Sequence, residues 1–268
     1  MGEIALYDVF AESPGGGNPC PVMLDADELS TDEMLAVAKR YGHESVFLLK
    51  PTVTEADVRM RYFVPRHEME MCVHATVAGV TALGRQGPVL VQTPLGVLNT
   101  AVDDNGLVTV EQFPPTFGSE GPAGTVADAL GCRPEQIKSS RSVSVSRAKL
   151  LVELDSVETL NALCPDSGKV RRVCEDLDVT GLYPFAMHCD VWARQFPRDS
   201  GYPEDPATGL AAAALGAHLA LHEEADGHYR YDVHQGQAMG RPSLITTHAT
   251  RTNATVTRAA VTGRASRV

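Results

Sequence analysis

The chain has 268 residues, and its 34 acidic against 23 basic side chains give a formal charge of −11. An acidic body repels phosphate backbones, which excludes non-specific nucleic-acid binding, and no run approaches the ~18 apolar residues of a membrane span. At 43% hydrophobic and 21% charged, the composition is that of an ordinary globular protein, long enough for two domains of usual size.

Ile4–Phe10 reads as a β-run, and Pro14-Gly15-Gly16-Gly17-Asn18-Pro19 as a loop that exposes several backbone amides. Ser30 with Glu33 three residues on makes a capping box, which opens a helix to about Tyr41. Ser45–Leu49 and Asp57–Phe63 follow as strands, the second alternating Val58, Met60 and Tyr62 against Arg59, Arg61 and Phe63. A helix is expected over His74–Arg85. Val97–Val102 and Leu107–Phe113 then flank Asn105-Gly106, a pair that favours the positive φ of a tight hairpin. Helical stretches near Thr125–Leu130 and Ser156–Leu163 alternate with strands at Ser142–Ser146, Lys149–Leu154 and Val191–Phe196. A long helix is expected at Ala207–His222, and its segment Leu210–Ala217 is apolar nearly all round, the pattern of a buried helix. The final Thr-, Val- and Ala-rich run carries four Arg and no acid from residue 249 on, and reads as one last strand and a frayed tail.

The two helices expected to be buried resemble each other. Ala75-Thr76 and Ala82-Leu83-Gly84 recur as Ala207-Thr208 and Ala214-Leu215-Gly216, an offset of 132 residues, close to half the chain. Small residues lie between them in both copies. The chain therefore reads as two similar α/β halves, each wrapping strands around one helix.

A polar cluster precedes each of these helices. Before the first it is Glu70-Met71-Cys72-Val73-His74-Ala75-Thr76, and before the second Pro203-Glu204-Asp205-Pro206-Ala207-Thr208-Gly209. Helix amino termini present unpaired N–H groups and the positive end of the helix dipole, so both are natural seats for an anion. Facing halves would bring the two ends to one cleft suited to a small carboxylate. Taken singly, Asp205 reads equally as a helix cap, and His74 as a satisfied, half-buried histidine. Glu44 lies between a helix and the apolar Val46 and Phe47. It is expected to be partly desolvated, with a pKa raised towards what a general acid/base needs. Cys72, at a helix start, is either a thiol of depressed pKa or a small buried hydrophobe.

The six cysteines, at 20, 72, 132, 164, 174 and 189, form no CxxC pair and no Cys/His ligand spacing, so neither a disulfide nor a metal framework is expected. The first ten residues lack a basic region followed by an apolar stretch, so a cytoplasmic location is expected. A GxSxG elbow, a P-loop, HExxH and a GxGxxG after a strand are all missing, and no motif calls for a nucleotide, flavin or metal cofactor.

The chain resembles the PhzF-like isomerases, typified by the phenazine-pathway enzyme and built on the diaminopimelate epimerase fold. The resemblance spans nearly the whole length. It rests on Gly17-Asn18-Pro19, Glu44-Ser45, Phe63 to Pro65, His74-Ala75-Thr76 and the run Glu204-Asp205-Pro206-Ala207-Thr208-Gly209, then Gln235-Gly236 and Met239-Gly240-Arg241-Pro242-Ser243. It implies an α+β fold of two pseudo-symmetric halves, residues 1–117 and 118–249, with a strand from 250–268 completing the first. Each half is a sheet around a central helix, with the active site between them. The resemblance also implies proton chemistry without a cofactor and a homodimer; from the charge, the missing apolar span and the helix ends, the expected partner is a small-molecule carboxylate, with neither nucleic acid nor membrane. By carry-over, Glu44 is the acid/base glutamate, His74 the substrate-contacting histidine and Asp205 the second carboxylate. Asn18, Val73, Thr76, Thr208, Gly209 and Leu210 fall around the substrate.

Two departures from the family pattern stand out. Cys72-Val73-His74 looks like the Cys-Gly-His of the proline racemase branch of the same fold, with Val in place of Gly. Leu210 stands where the phenazine-type enzymes carry Ser. A hydroxyl contact is lost and Val73 crowds a backbone approach, which points to a smaller or more apolar ligand, such as the 4-alkylproline precursors that some family members handle in antibiotic pathways. The leading expectation is a double-bond isomerase of secondary metabolism, acting on a small unsaturated carboxylate with Glu44 as the proton shuttle. The alternatives are an amino-acid racemase or epimerase using Cys72 with Asp205, and an idle member that binds a metabolite.

Overall fold

Strands dominate the molecule, and they wind around two apolar helices. The computed structural model describes residues 3–268. In the first half, β1 (Ile4–Val9), β2 (Asn18–Met23), α1 (Thr31–Tyr41), β3 (Ser45–Leu49), β4 (Val58–Phe63) and β5 (Glu68–Met69) lead into α2 (Val73–Ala82). β6 (Gly87–Thr93), β7 (Gly96–Val102), β8 (Val108–Glu111) and β9 (Thr116–Phe117) follow. The second half opens with α3 (Ala123–Leu130), β10 (Ile137–Ser144), β11 (Lys149–Leu154), α4 (Val157–Ala162) and α5 (Ser167–Asp176). It continues through β12 (Gly181–Met187), β13 (Val191–Ala193) and β14 (Phe196–Pro197) to α6 (Gly209–Leu221). β15 (Gly227–Gln235), β16 (Ser243–Thr252), β17 (Thr255–Gly263) and β18 (Ala265–Arg267) end the chain.

The pairing order explains how two helices come to be enclosed. β18 pairs β1, and the ladder continues through β2, β3, β4, β6, β7 and β8 to β17. Because β17 runs on into β18, this wrap returns to its own start around α2. From β17 the same network passes through β16, β15, β13, β12, β11 and β10 to β9, curling around α6. β17 belongs to both wraps.

Local chemistry supports each part. α2 is buried from Val73 to Val80 and α6 from Gly209 to His218, and a helix that is apolar on every side can only be interior. Gly216 lets α6 lie directly on β16, where a Cβ would come within 2.4 Å of Thr247 Oγ1. α1 is amphipathic instead, burying Met34, Val37 and Ala38 beside Phe47 and Phe63. Its capping box is complete, Ser30 accepting from the Glu33 amide and Glu33 accepting from the Ser30 amide.

Several sequence expectations are corrected here. The frayed tail is instead the hairpin β16–β17 followed by β18, whose buried positions, among them Thr247, Ala249 and Ala259, are too small or polar to signal a strand. Asn18 and Pro19, expected to close the loop from Pro14, instead open the strand β2, Asn18–Met23. Its prolines, 19 and 21, pair only with β1, because β3 joins at Val22, so their missing N–H groups leave no ladder bond unmade. Val191–Phe196 is two short strands, interrupted at Arg194 and Gln195. The helix match is also out of step by four residues: Thr76 lies inside α2, whereas Thr208 stands at the N-cap of α6.

Candidate active site

α2 and α6 present their amino termini to one cleft of about 520 Å³. Ser30, Ser156 and Asp166 cap α1, α4 and α5 with their side chains, but neither Cys72 nor Thr208 caps its helix. No side-chain oxygen closes either helix end, the arrangement that suits an anion. The two ends also touch. A Cβ on Gly209 would lie 2.6 Å from Val73 Cγ1, so only glycine fits opposite Val73.

Glu44 sits in the short link between Gly42, which ends α1, and β3. Its Oε1 accepts from the Tyr202 hydroxyl at 3.0 Å. Its Oε2 accepts from Cys72 Sγ at 3.1 Å and lies 3.0 Å from His74 Nδ1. Cys72 Sγ is itself 3.1 Å from that nitrogen. Burial pushes the Glu44 carboxyl up, but the charge of His74 and hydrogen bonds from His74, Cys72 and Tyr202 overrule it and hold the pKa at about 2. The expected upward shift is thus reversed: desolvation is present, and an ion pair outweighs it. For His74, burial works against the imidazolium while Cys72 and Glu44 favour it, and the balance lifts the pKa well above 6.5. The Cys72 thiol is pushed up to about 12 by burial and then by Glu44. The depressed-pKa reading of Cys72 is therefore corrected, and near neutrality the charge facing His74 is that of Glu44. The donor atoms of these three residues lie within 4.8 Å of one another, close enough for a metal ion, but here each already has the other two as partners.

Asp205 approaches from the other half. Its amide donates to Gln195 O at 3.0 Å. Its Oδ1 accepts from Asn18 Nδ2 at 2.7 Å, and its Oδ2 from the Thr208 hydroxyl. Gln235 braces the turn, donating to Asp205 O at 2.7 Å while its Oε1 accepts from the Thr208 amide at 3.2 Å and the Tyr183 hydroxyl at 2.9 Å. Arg241 ties down the loop ahead of Asn18 through Gly17 O at 2.8 Å and Gly16 O at 3.0 Å. Burial, with repulsion from Glu44 behind it, raises the Asp205 carboxyl to about 7.

Glu44, Cys72, Val73, His74, Asp205, Thr208, Gly209 and Leu210 all line the cleft. Thr76 does not. It is fully buried in α2, bonded to Tyr62 and to Cys72 O, which removes it from any substrate. Asn18 stands behind Asp205, on the wall of a neighbouring cavity of about 500 Å³, and its amide donates to Asp205 and Ala207 O. Tyr202, Lys149 and Gln195 were not anticipated. Lys149 alone left a trace in the sequence, as the single cation opening the apolar run Lys149–Leu154.

Residues 7–268 match the family model described as phenazine biosynthesis-like protein. The chain belongs to this family. Among curated relatives it is 31% identical over 262 residues to the uncharacterized isomerase YfhB of Bacillus subtilis, covering 91% of this chain and 89% of that one. It is also 31% identical over 259 residues to the trans-2,3-dihydro-3-hydroxyanthranilate isomerase of Pseudomonas aeruginosa, with 91% and 89% covered. The chain is thus an enzyme of the PhzF-like isomerases. The PhzF-family phenazine biosynthesis protein of Bacillus anthracis superposes with a TM-score of 0.89 at 26% identity, covering 99% of this chain and 96% of that one. A hydroxyproline epimerase from Agrobacterium vitis shares the fold alone, with a TM-score of 0.63 at 13% identity over 99% and 90% of the two chains. The mixed α/β architecture is accordingly the epimerase-like one. No helix among the described residues is long and apolar enough to cross a membrane.

Proposed function

We propose that this isomerase shifts a double bond in a small unsaturated carboxylate by moving one proton, with Glu44 as the group that takes and returns it. The observation that carries the reading is the pairing of unlike carboxyls in one cleft: Glu44 is ionised against His74, and Asp205 holds its proton to about pH 7. Pairs of titratable groups driven apart in this way divide the roles of base and acid.

The substrate carboxylate sits on the open N–H groups of α2 and α6. Glu44 removes a proton from carbon, and the charge left behind spreads through the conjugated system into the carboxylate. There the helix ends and the protonated Asp205 receive it. Glu44 is a weak base while paired. An anionic substrate beside it, displacing the Tyr202 hydroxyl, raises its pKa, each unit being worth about 1.4 kcal/mol. Once protonated beside an imidazolium, Glu44 returns its proton readily to a second carbon on the same face.

Val73 and Leu210 narrow the site and favour a ligand smaller than the phenazine intermediate. The trans-2,3-dihydro-3-hydroxyanthranilate isomerase among the relatives supports an isomerisation, and the family's description as phenazine biosynthesis-like supports a place in secondary metabolism. A homodimer working without a cofactor, as the family resemblance implies, and a cytoplasmic location, as the first residues suggest, complete the reading. A racemase built on Cys72 and Asp205 has less support, because Cys72 donates to Glu44 and stays neutral to about pH 12. An idle binder has little reason to keep Glu44, His74 and Asp205 together.

The test is solvent-deuterium incorporation, followed by NMR, over a panel of unsaturated carboxylates and L-amino acids. Incorporation away from the α-carbon is expected, and Glu44→Gln should lower it by about 10³-fold or more while ligand binding persists. Undiminished exchange in that variant sinks the assignment, and α-carbon exchange with inversion transfers it to the racemase.

A further inference from the structure

The cleft also holds polar groups that the proton transfer does not use, on the wall beside Asp205. Lys149 opens β11 one step before the Leu150–Leu182 pair, which sets it beside Gly181 of β12. On the other side of β12, Gly181 pairs Pro197, and a Cβ on Gly181 would lie 2.2 Å from Gln195 Nε2. The ammonium and the amide thus stand on adjacent positions of one wall, and both line the cleft. Gly181 is the residue that makes room for the amide.

Gln195 lacks partners, and Lys149 lacks an ion pair. Gln195 is 1% exposed, and neither its Oε1 nor its Nε2 meets a hydrogen-bonding group. Lys149 is 7% exposed, and among the described residues its ammonium has no carboxylate at ion-pair distance. Buried polar groups are normally satisfied, so an unmatched amide beside an ammonium without an ion pair marks a place where a ligand completes the set. Arg147, with Nε 3.7 Å from the exposed Glu70, adds positive potential in the same cleft. Burial and Arg147 lower the Lys149 ammonium to about 8, which leaves it mostly charged at neutral pH.

We propose that Lys149 and Gln195 form a subsite for a second carboxylate, so that the preferred substrates are small unsaturated dicarboxylates. This rests on the reading of the cleft as the seat of a carboxylate isomerase. One carboxylate lies on the open helix ends beside Glu44. The other accepts from the Lys149 ammonium and the Gln195 amide, whose Oε1 is left to accept from a hydroxyl or amine on the same molecule. The substrate is held at both ends, which fixes the carbon that faces Glu44.

Calorimetric binding of saturated probes of equal length, succinate against butyrate and glutarate against valerate, tests the subsite. Wild-type protein should bind one diacid about tenfold to a hundredfold tighter than its monoacid partner, the range of one charge-assisted hydrogen bond. Lys149→Met should abolish that preference and Lys149→Arg should keep part of it. Gln195→Glu, nearly isosteric and able to pair with Lys149, should also abolish it while leaving the fold intact, so that loss of binding cannot be charged to unfolding. No diacid binding, equal affinities, or a preference that survives both Lys149→Met and Gln195→Glu overturns the proposal. The deuterium assay separates the two readings. Glu44-dependent exchange without any diacid preference removes the subsite alone, and a diacid preference without Glu44-dependent exchange removes the proton shuttle alone.

Discussion

At the start of α2 the Glu44 carboxylate is surrounded by an imidazole, a thiol and a phenol, whereas at the start of α6 the Asp205 carboxyl meets only an amide and a hydroxyl. Glu44 is largely and Asp205 fully buried, and both lie beside the positive end of a helix, so burial and dipole do not account for their opposite behaviour. One charged partner does. His74 holds Glu44 ionised, while the neutral donors around Asp205 are outweighed by desolvation and by the Glu44 charge itself. Two similar backbone ends thus acquire opposite protonation states from the identity of a single neighbour.

Removing that neighbour should have the largest effect on the difference. His74→Asn leaves Glu44 buried without its cation and should destabilise the protein at pH 7 by about 3–5 kcal/mol, the usual penalty for breaking a buried ion pair. The pH dependence contributed by Glu44 should also reverse. In the wild type the folded pKa of Glu44 lies below its ordinary 4.5, so its contribution is present above 4.5 and is lost as pH falls towards about 2. In His74→Asn that pKa lies above the ordinary value, so stability is greatest in acid and falls as pH rises. Asp205 lowers the stability of both proteins over this range, so the sign is read from their difference in urea unfolding, which should grow from pH 4 to pH 7; a difference that stays constant would mean that His74 is not what ionises Glu44.

Asp205→Asn should act more gently and in the opposite direction. The folded Asp205 carboxyl titrates at about 7 against an ordinary 3.8, so the folded state binds the proton more tightly. Stability is present below 3.8 and is lost as pH climbs through about 7. The asparagine variant lacks this loss and should be more stable than wild type at pH 8 by roughly 2–4 kcal/mol, while losing activity. Equal stability of the two proteins at pH 8 would place Asp205 with the ordinary carboxylates.

Gly209→Ala tests the contact between the two ends. The added methyl meets Val73, so a loss of about 1–3 kcal/mol in thermal unfolding is expected, partly restored in a Val73→Ala background. Additive losses would show that the helix ends are not in contact.

How far the sequence revealed these two ends follows from what each residue depends on. The Ser30–Glu33 box, the Asn105-Gly106 turn and the all-apolar run of α6 are local, and each formed where its own chemistry placed it. Glu44, Cys72, His74 and Asp205 were found through motifs, but their protonation was not. The Glu44–His74 pair joins residues from two separate segments, and no local pattern reports which charge faces which. Thr76 lies away from the cleft because it falls one turn inside α2, where its hydroxyl is taken up by Tyr62 and Cys72 O, a position that the motif alone does not report. Lys149, Gln195 and Tyr202 reach the cleft through strand pairing and a loop, a relation that only the folded chain displays. β2 and the β16–β17 hairpin escaped notice for a similar reason, since their prolines, threonines and alanines are acceptable only beside particular neighbours.

The most direct test is a carboxyl ¹³C titration of protein labelled at Asp and Glu side chains, with Glu44→Gln and Asp205→Asn used to assign the two resonances. Asp205 should titrate at about 7, and Glu44 should remain ionised throughout that range. Two carboxyls that titrate together, or a Glu44 midpoint at or above its ordinary 4.5, would contradict the division of the cleft into one base and one acid.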